Sequence, residues 1–109
     1  LKKETIFSER VNGVFKLRRG FSIKKNTNVL IVEDVITTGK SSLECSNLIK
    51  ESDANLIGFA CIIDRSDSKI EIKDKIISQI RLDIPTYTKD NLPESLSSLK
   101  AEKPGSRSL

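Results

Sequence analysis

Two adjacent carboxylates, Glu33 and Asp34, close an unbroken apolar run, Val29 to Val32. A Thr37-Thr38-Gly39 turn and a Lys40-Ser41-Ser42 start follow at once. In an open parallel sheet, ligands collect at the carboxyl ends of strands. A helix that begins just beyond such an end offers free backbone N–H groups and the positive end of its dipole, and both suit an anion. The hydroxyls of Thr37, Thr38 and Ser41 add donors, and Gly39 allows close backbone approach. Carboxylates a few ångströms away accept hydrogen bonds from a vicinal diol, or hold a hydrated magnesium ion. A phosphorylated sugar satisfies both halves of the pattern. The plain alternative is a strand end followed by capping threonines; the whole nonapeptide "EDVITTGKS" after a buried strand favours the sugar phosphate. The "GKS" triplet does not make a triphosphate loop, because that motif needs a glycine five positions before Gly39, where Asp34 stands.

The flanking elements must position these groups. "NVLIVED" lacks alternation, which predicts a central parallel strand buried on both faces. Residues 40–52 read as a helix with Cys45, Leu48 and Ile49 on one face; Leu43 falls opposite, exposed or covered by a neighbour. "NLIGFACII" (55–63) is a second buried strand, closed by Asp64-Arg65-Ser66. Strand, helix and strand at this spacing form a right-handed crossover unit. "ETIF" (4–7) reads as a short strand. Residues 8–20 read as a mobile basic loop or a hairpin around Asn12-Gly13. "KIISQIRLDI" (75–84) is a candidate third strand, and 89–101 a weak helix broken at Pro93. One domain results: strand and loop over 1–20, a core over 28–85, and a C-terminal tail over 86–109.

The chain has 109 residues and a net charge of +4, which suits an anionic ligand without demanding a nucleic acid. Four Phe and one Tyr, widely scattered, argue against RNA binding. There is no histidine, and neither Cys45 nor Cys61 has a metal-ligand neighbour, so a Cys/His zinc site is not expected. Both cysteines read as apolar fillers in a reducing, cytoplasmic setting. No apolar run approaches the roughly 20 residues that span a bilayer, and no membrane partner is expected.

"VLIVEDVITTGKS" resembles the phosphoribosyl-diphosphate (PRPP) motif of the type I phosphoribosyltransferases. "FSERVNGVFKLRRGF", "CIIDRS", "RLDIPTY" and the closing "KPGSR" resemble the orotate phosphoribosyltransferases within that family. The likeness runs from about residue 5 to residue 107. It implies an α/β fold with a Rossmann-like open parallel sheet. It also implies transfer of ribose 5-phosphate from PRPP to orotate, giving orotidine 5′-monophosphate and diphosphate in pyrimidine synthesis.

By the same resemblance, Glu33, Asp34, Val35, Ile36, Thr37, Thr38, Gly39, Lys40 and Ser41 embrace PRPP, with the two carboxylates on the ribose hydroxyls. Thr37 and Arg65 match positions that hold orotate, while Arg10, with Lys16, belongs to a loop reaching diphosphate across a homodimer interface. Arg65 could instead pair with Asp64 or Asp67, and Arg10 could be a solvated charge. Magnesium is carried mainly by PRPP, with no direct protein ligand and at most a water-mediated link to Asp34. Many relatives carry a Lys and a His in the loop; here Lys16 is the sole Lys between residues 8 and 20. The paired cysteines of some relatives are absent from the closing segment. The family's diphosphate loop and N-terminal hood have no counterpart, so the chain reads as a C-terminal half, inactive alone. A non-catalytic module that senses PRPP or a nucleotide is the alternative, and Arg65 at the base site argues against it.

Overall fold

The computed structural model describes residues 2–100. Residues 2–7 form no strand. The first strand, β1 (Ser8–Val11), turns through Asn12 and Gly13 into β2 (Val14–Leu17). Both turn residues have positive φ, 51° and 82°. That is the combination a two-residue hairpin needs to match strand twist, and Asn-Gly supplies it at least cost. The segment expected as a strand over 4–7 instead ends in Phe7, whose ring meets Phe21 edge-on with centroids 5.1 Å apart. Stacking against a distant loop takes the place of strand pairing there.

The core is the expected crossover. β3 (Asn28–Ile36), α1 (Lys40–Glu51) and β4 (Asn55–Asp64) run in order, and β5 (Ile76–Arg81) follows. The three strands form one parallel sheet in the order β3-β4-β5. The third-strand expectation is met over a shorter span. Beyond it, Lys89–Asn91 and Glu94–Ser97 form two short helical turns on either side of Leu92 and Pro93. The tail sequence "KPGSR" lies outside the described residues.

α1 packs on one face of β3 and β4. Between them lie Ile31, Ile36, Ile49, Phe59, Cys61 and Ile72, all buried. Leu43 is covered and packs against this cluster. The helix is most deeply buried at Ser42, Ser46 and Ile49; of the expected Cys45, Leu48 and Ile49 stripe, Ile49 lies in the core, Cys45 packs at its margin and Leu48 is half-buried. Small side chains at 42 and 46 allow close approach, and each hydroxyl has an acceptor: Ser46 donates to the Leu43 carbonyl at 2.7 Å and Ser42 to Glu33.

The expectation that β3 is central and buried on both faces is corrected. β3 is an edge strand, and Val32 is 71% exposed. Parallel register sets Val32 beside Ala60, and Ala60 beside Ile77. Val32, Ile62 and Ile77 are all more than half exposed, because α1 covers only the opposite face. The radius of gyration is 16.9 Å, against about 13 Å for a compact chain of some 100 residues. Residues 82–92, after β5, are exposed at every position.

The β3–β4 register shifts at Val29/Leu30, where Ile57 is the extra residue, and Gly58 follows with φ 139°. A Cβ at Gly58 would lie 2.9 Å from the Lys75 carbonyl oxygen, the acceptor of the Phe59 N–H. Gly58→Ala is expected to destabilise the chain by more than about 1 kcal/mol, since it meets a positive φ and a backbone contact together. Urea unfolding measures this, and an unchanged midpoint would contradict the stated packing.

Candidate functional site

β3 delivers Glu33 and Asp34 to the carboxyl end of the sheet, and only three residues, Thr37 to Gly39, separate Ile36 from the start of α1. Residues 33–42 line a hollow of ≈ 200 Å³. Gly39 is the N-cap of α1 at φ 73°, left-handed backbone that glycine adopts without strain. A Cβ there would meet the Ile72 side chain at 2.7 Å. The chain between β4 and β5 thus passes directly against the turn, with buried Ile72 fixing it from behind.

No side chain caps α1, and its first turn carries no acidic residue. The Thr38 hydroxyl accepts only a long bond, 3.4 Å, from the Lys40 N–H. The first N–H groups of a helix have no partner within it. This start therefore has the donors and the dipole for an anion, and among the described residues no side-chain carboxylate accepts from its backbone amides.

The two carboxylates lie in different settings. Glu33 is half-buried on the helix side of the sheet, in register with buried Cys61. Its Oε1 accepts a 3.3 Å hydrogen bond from the Ser42 hydroxyl. Asp34 is exposed, and its Oδ1 accepts the Val35 N–H at 2.7 Å. Alternation along a strand explains the difference. Burial pushes the Cys61 thiol up, and the Asp64 and Glu33 carboxylates add to this against an opposing hydrogen bond from Ile36, so the thiol stays protonated.

Arg65 follows β4 directly. Its N–H donates to the Ile36 carbonyl at 2.8 Å, which sets Arg65 beside the strand end that leads into Thr37. Its side chain forms no ion pair with Asp64 or Asp67 among the described residues, and its Nε is buried without a partner. Asp64 turns instead to the Ser66 N–H at 2.8 Å. Burial alone would raise the Asp64 carboxyl. The Ser66 hydroxyl and amide, helped by Arg81, outweigh that and hold it below the usual carboxylate value. A second hollow, of ≈ 260 Å³, lies just past Arg65 between Ser66–Ser68 and Arg81–Asp83.

The hairpin residues stand apart from the 33–42 hollow and do not line it. Arg10 is exposed to solvent but not free. It pairs with Glu44 of α1 at 2.6 Å, donates to the Gly13 carbonyl, and lies 4.3 Å from the Phe15 ring centroid. Lys16 is exposed and faces Glu9 in register. Sequence reasoning passed over Ser42 and Ile72. Ser42 carries a signal in hindsight, since 42, 46 and 49 follow helical spacing; "KIEIK" around Ile72 offers none that points to the turn.

The fold agrees with that of the chain's relatives. Residues 2–90 match the phosphoribosyl transferase domain, and the chain belongs to that family. It is 46% identical over 109 residues to orotate phosphoribosyltransferase of Parvibaculum lavamentivorans, covering 100% of this chain and 56% of that protein. To the Thermotoga maritima enzyme of the same name it is again 46% identical over 109 residues, covering 100% of this chain and 58% of that protein. The chain therefore spans little more than half the length of these curated relatives. Among solved structures, adenine phosphoribosyltransferase from Leishmania tarentolae superposes with a TM-score of 0.51 at 24% identity, over 66% of this chain and 38% of that one. The Saccharomyces cerevisiae adenine phosphoribosyltransferase gives 0.50 at 20% identity, over 71% of this chain and 46% of that one. These two likenesses establish the fold. No helix among the described residues is long and apolar enough to cross a membrane.

The Asp64 carboxyl is depressed in the folded chain, so its contribution is present above the unfolded value of about 3.9 and is lost as pH falls through the lower folded value. Asp64→Asn should narrow its stability gap to wild type steadily as pH drops below about 4. Denaturant titrations over that range read this, and a gap independent of pH would contradict it.

Proposed function

We propose that this chain carries the ribose-phosphate and base-binding part of an orotate phosphoribosyltransferase. The single observation behind this reading is the hollow of residues 33–42, where an uncapped helix start meets two carboxylates. The amides of residues 37–41 and the hydroxyls of Thr37, Thr38 and Ser41 take the 5-phosphate of PRPP. Glu33 and Asp34 take the ribose hydroxyls, while Val35, Ile36 and Lys40 complete the wall. In the reaction, the bond from the anomeric carbon to diphosphate breaks and a bond to an orotate ring nitrogen forms. Positive charge develops on the sugar as diphosphate departs, and fixed carboxylates nearby favour that state without reorganising. No covalent nucleophile is needed.

Orotate is favoured by two supports. The curated relatives carry that name. The Arg65 backbone also stands at the strand end adjoining Thr37, and its buried Nε has no protein partner that a ligand carboxylate would have to displace. Arg10 and Lys16 are assigned to the leaving diphosphate; Arg10 would exchange Glu44 for it, and a homodimer would bring the hairpin to a neighbouring site. The hairpin, the 28–85 core and the segment from 86 onward act as one domain. The two free cysteines suit a cytoplasmic setting.

No group of three or more His, Cys, Asp or Glu among the described residues could hold a metal. The donor set fits magnesium only as a hydrated ion borne by substrate phosphates, with exposed Asp34 reaching it through water. Bound there, magnesium would neutralise charge on the diphosphate.

An orotate-dependent loss of PRPP by the protein tests the reading, and its absence from the full-length protein carrying this sequence would overturn it. In that protein, Glu33→Gln with Asp34→Asn should cut turnover at least about tenfold with the fold intact. Near-normal turnover would return the carboxylates to a role in ending the strand.

A further inference from the structure

We propose that Ser42 is a positioning residue. Its hydroxyl holds the Glu33 carboxylate against the start of α1, and so selects Glu33 for a sugar hydroxyl, leaving the phosphate to the turn. The proposal rests on the ribose-phosphate reading above. Ser42 is only 3% exposed, yet it sits in the first turn of a helix whose start is otherwise open. A buried hydroxyl needs a partner. Serine in a helix can satisfy itself on the carbonyl three or four residues back, as Ser46 and Ser52 do here at 2.7 Å. Ser42 does not: it donates to Glu33 Oε1, nine residues earlier and on another element.

That bond fixes a side chain which would otherwise be free. Glu33 has no ion-pair partner among the described residues. Its long side chain would sample several rotamers, and a ligand that arrests it would pay the lost rotamer entropy. The Ser42 bond meets part of that cost before binding. It also uses one lone pair of one carboxylate oxygen, leaving the others to accept from a sugar hydroxyl. Asp34 is held differently, by the amide of the next residue, so the two carboxylates are fixed independently. The helix start brings the Ser42 side chain to Glu33 while its first amides face the anion. One structural feature thus sets the spacing between the sugar-binding and phosphate-binding groups.

The test is calorimetric and uses three probes: ribose 5-phosphate, 2-deoxyribose 5-phosphate and inorganic phosphate. They are titrated into the wild-type protein, Ser42→Ala and Ser42→Thr. Ser42→Ala should weaken ribose 5-phosphate about fivefold, the usual worth of one hydrogen bond. Inorganic phosphate should be unchanged, and 2-deoxyribose 5-phosphate should be weakened less than ribose 5-phosphate. Ser42→Thr, which keeps the hydroxyl, should restore ribose 5-phosphate affinity. Equal weakening of all three probes would overturn the proposal, since Ser42 would then merely support the turn. Unchanged ribose 5-phosphate affinity in Ser42→Ala would overturn it as well. A wild-type protein that binds phosphate but gains nothing from the ribose would remove the sugar-binding role of Glu33, and the proposal with it. A wild-type protein that binds none of the three would instead overturn the ribose-phosphate reading itself.

Discussion

Everything at the candidate site depends on how α1 begins. Gly39 turns the chain through left-handed backbone, and the buried Ile72 side chain occupies the space that any Cβ at that position would claim. The helix that follows has no side-chain cap. Orphan N–H groups at a helix start are usually satisfied by Ser, Thr, Asp or Asn, and losing such a cap costs about 1 kcal/mol. Here the turn forgoes that stabilisation. The cluster around Ile49 and Phe59 compensates by fixing the helix to the sheet whatever stands at its start. An open, rigid helix start is a poor choice for stability alone and a good one for binding an anion.

From that constraint the remaining groups fall into place. Parallel strands end at the same side of the sheet, so Glu33, Asp34 and Arg65 are brought to one rim by topology. Strand alternation sends one carboxylate toward the helix and leaves the other exposed. The hairpin reaches α1 from outside through the Arg10–Glu44 pair and the 3.4 Å contact between the Ser8 hydroxyl and the Cys45 sulfur. An exposed ion pair of this kind contributes little, about 1 kcal/mol at most. It is therefore a contact that a competing anion can displace.

Much of this was legible in the residues. Asn12-Gly13 specified the hairpin, the crossover length specified parallel β3 and β4, and Thr-Thr-Gly-Lys-Ser specified the turn. The faces were harder to read. An apolar run says that a strand can be buried on both sides, not that something covers both. Val32, Ile62 and Ile77 are as apolar as Ile31, yet only the α1 side is covered. The helix face was read only in part, for a related reason: Ile49 and Cys45 do pack on the core, but the deepest contacts lie elsewhere. Hydrophobicity points to Leu48, whereas close packing against a sheet selects small residues, and Ser42 and Ser46 fit because both hydroxyls find acceptors. The role of Ile72 behind Gly39 is a tertiary contact between segments 33 positions apart, and no local pattern encodes it.

The central claim is that the start of α1 is a ribose-phosphate site. Proton–nitrogen correlation spectra of the labelled protein, recorded during a ribose 5-phosphate titration, test it most directly. The account predicts saturable shifts largest at the amides of Thr38, Gly39, Lys40, Ser41 and Ser42. Inorganic phosphate should reproduce them in part, and they should weaken at high salt. Shifts centred on Ser66–Ser68 and Arg81–Asp83, or spread evenly over the basic surface, would contradict it.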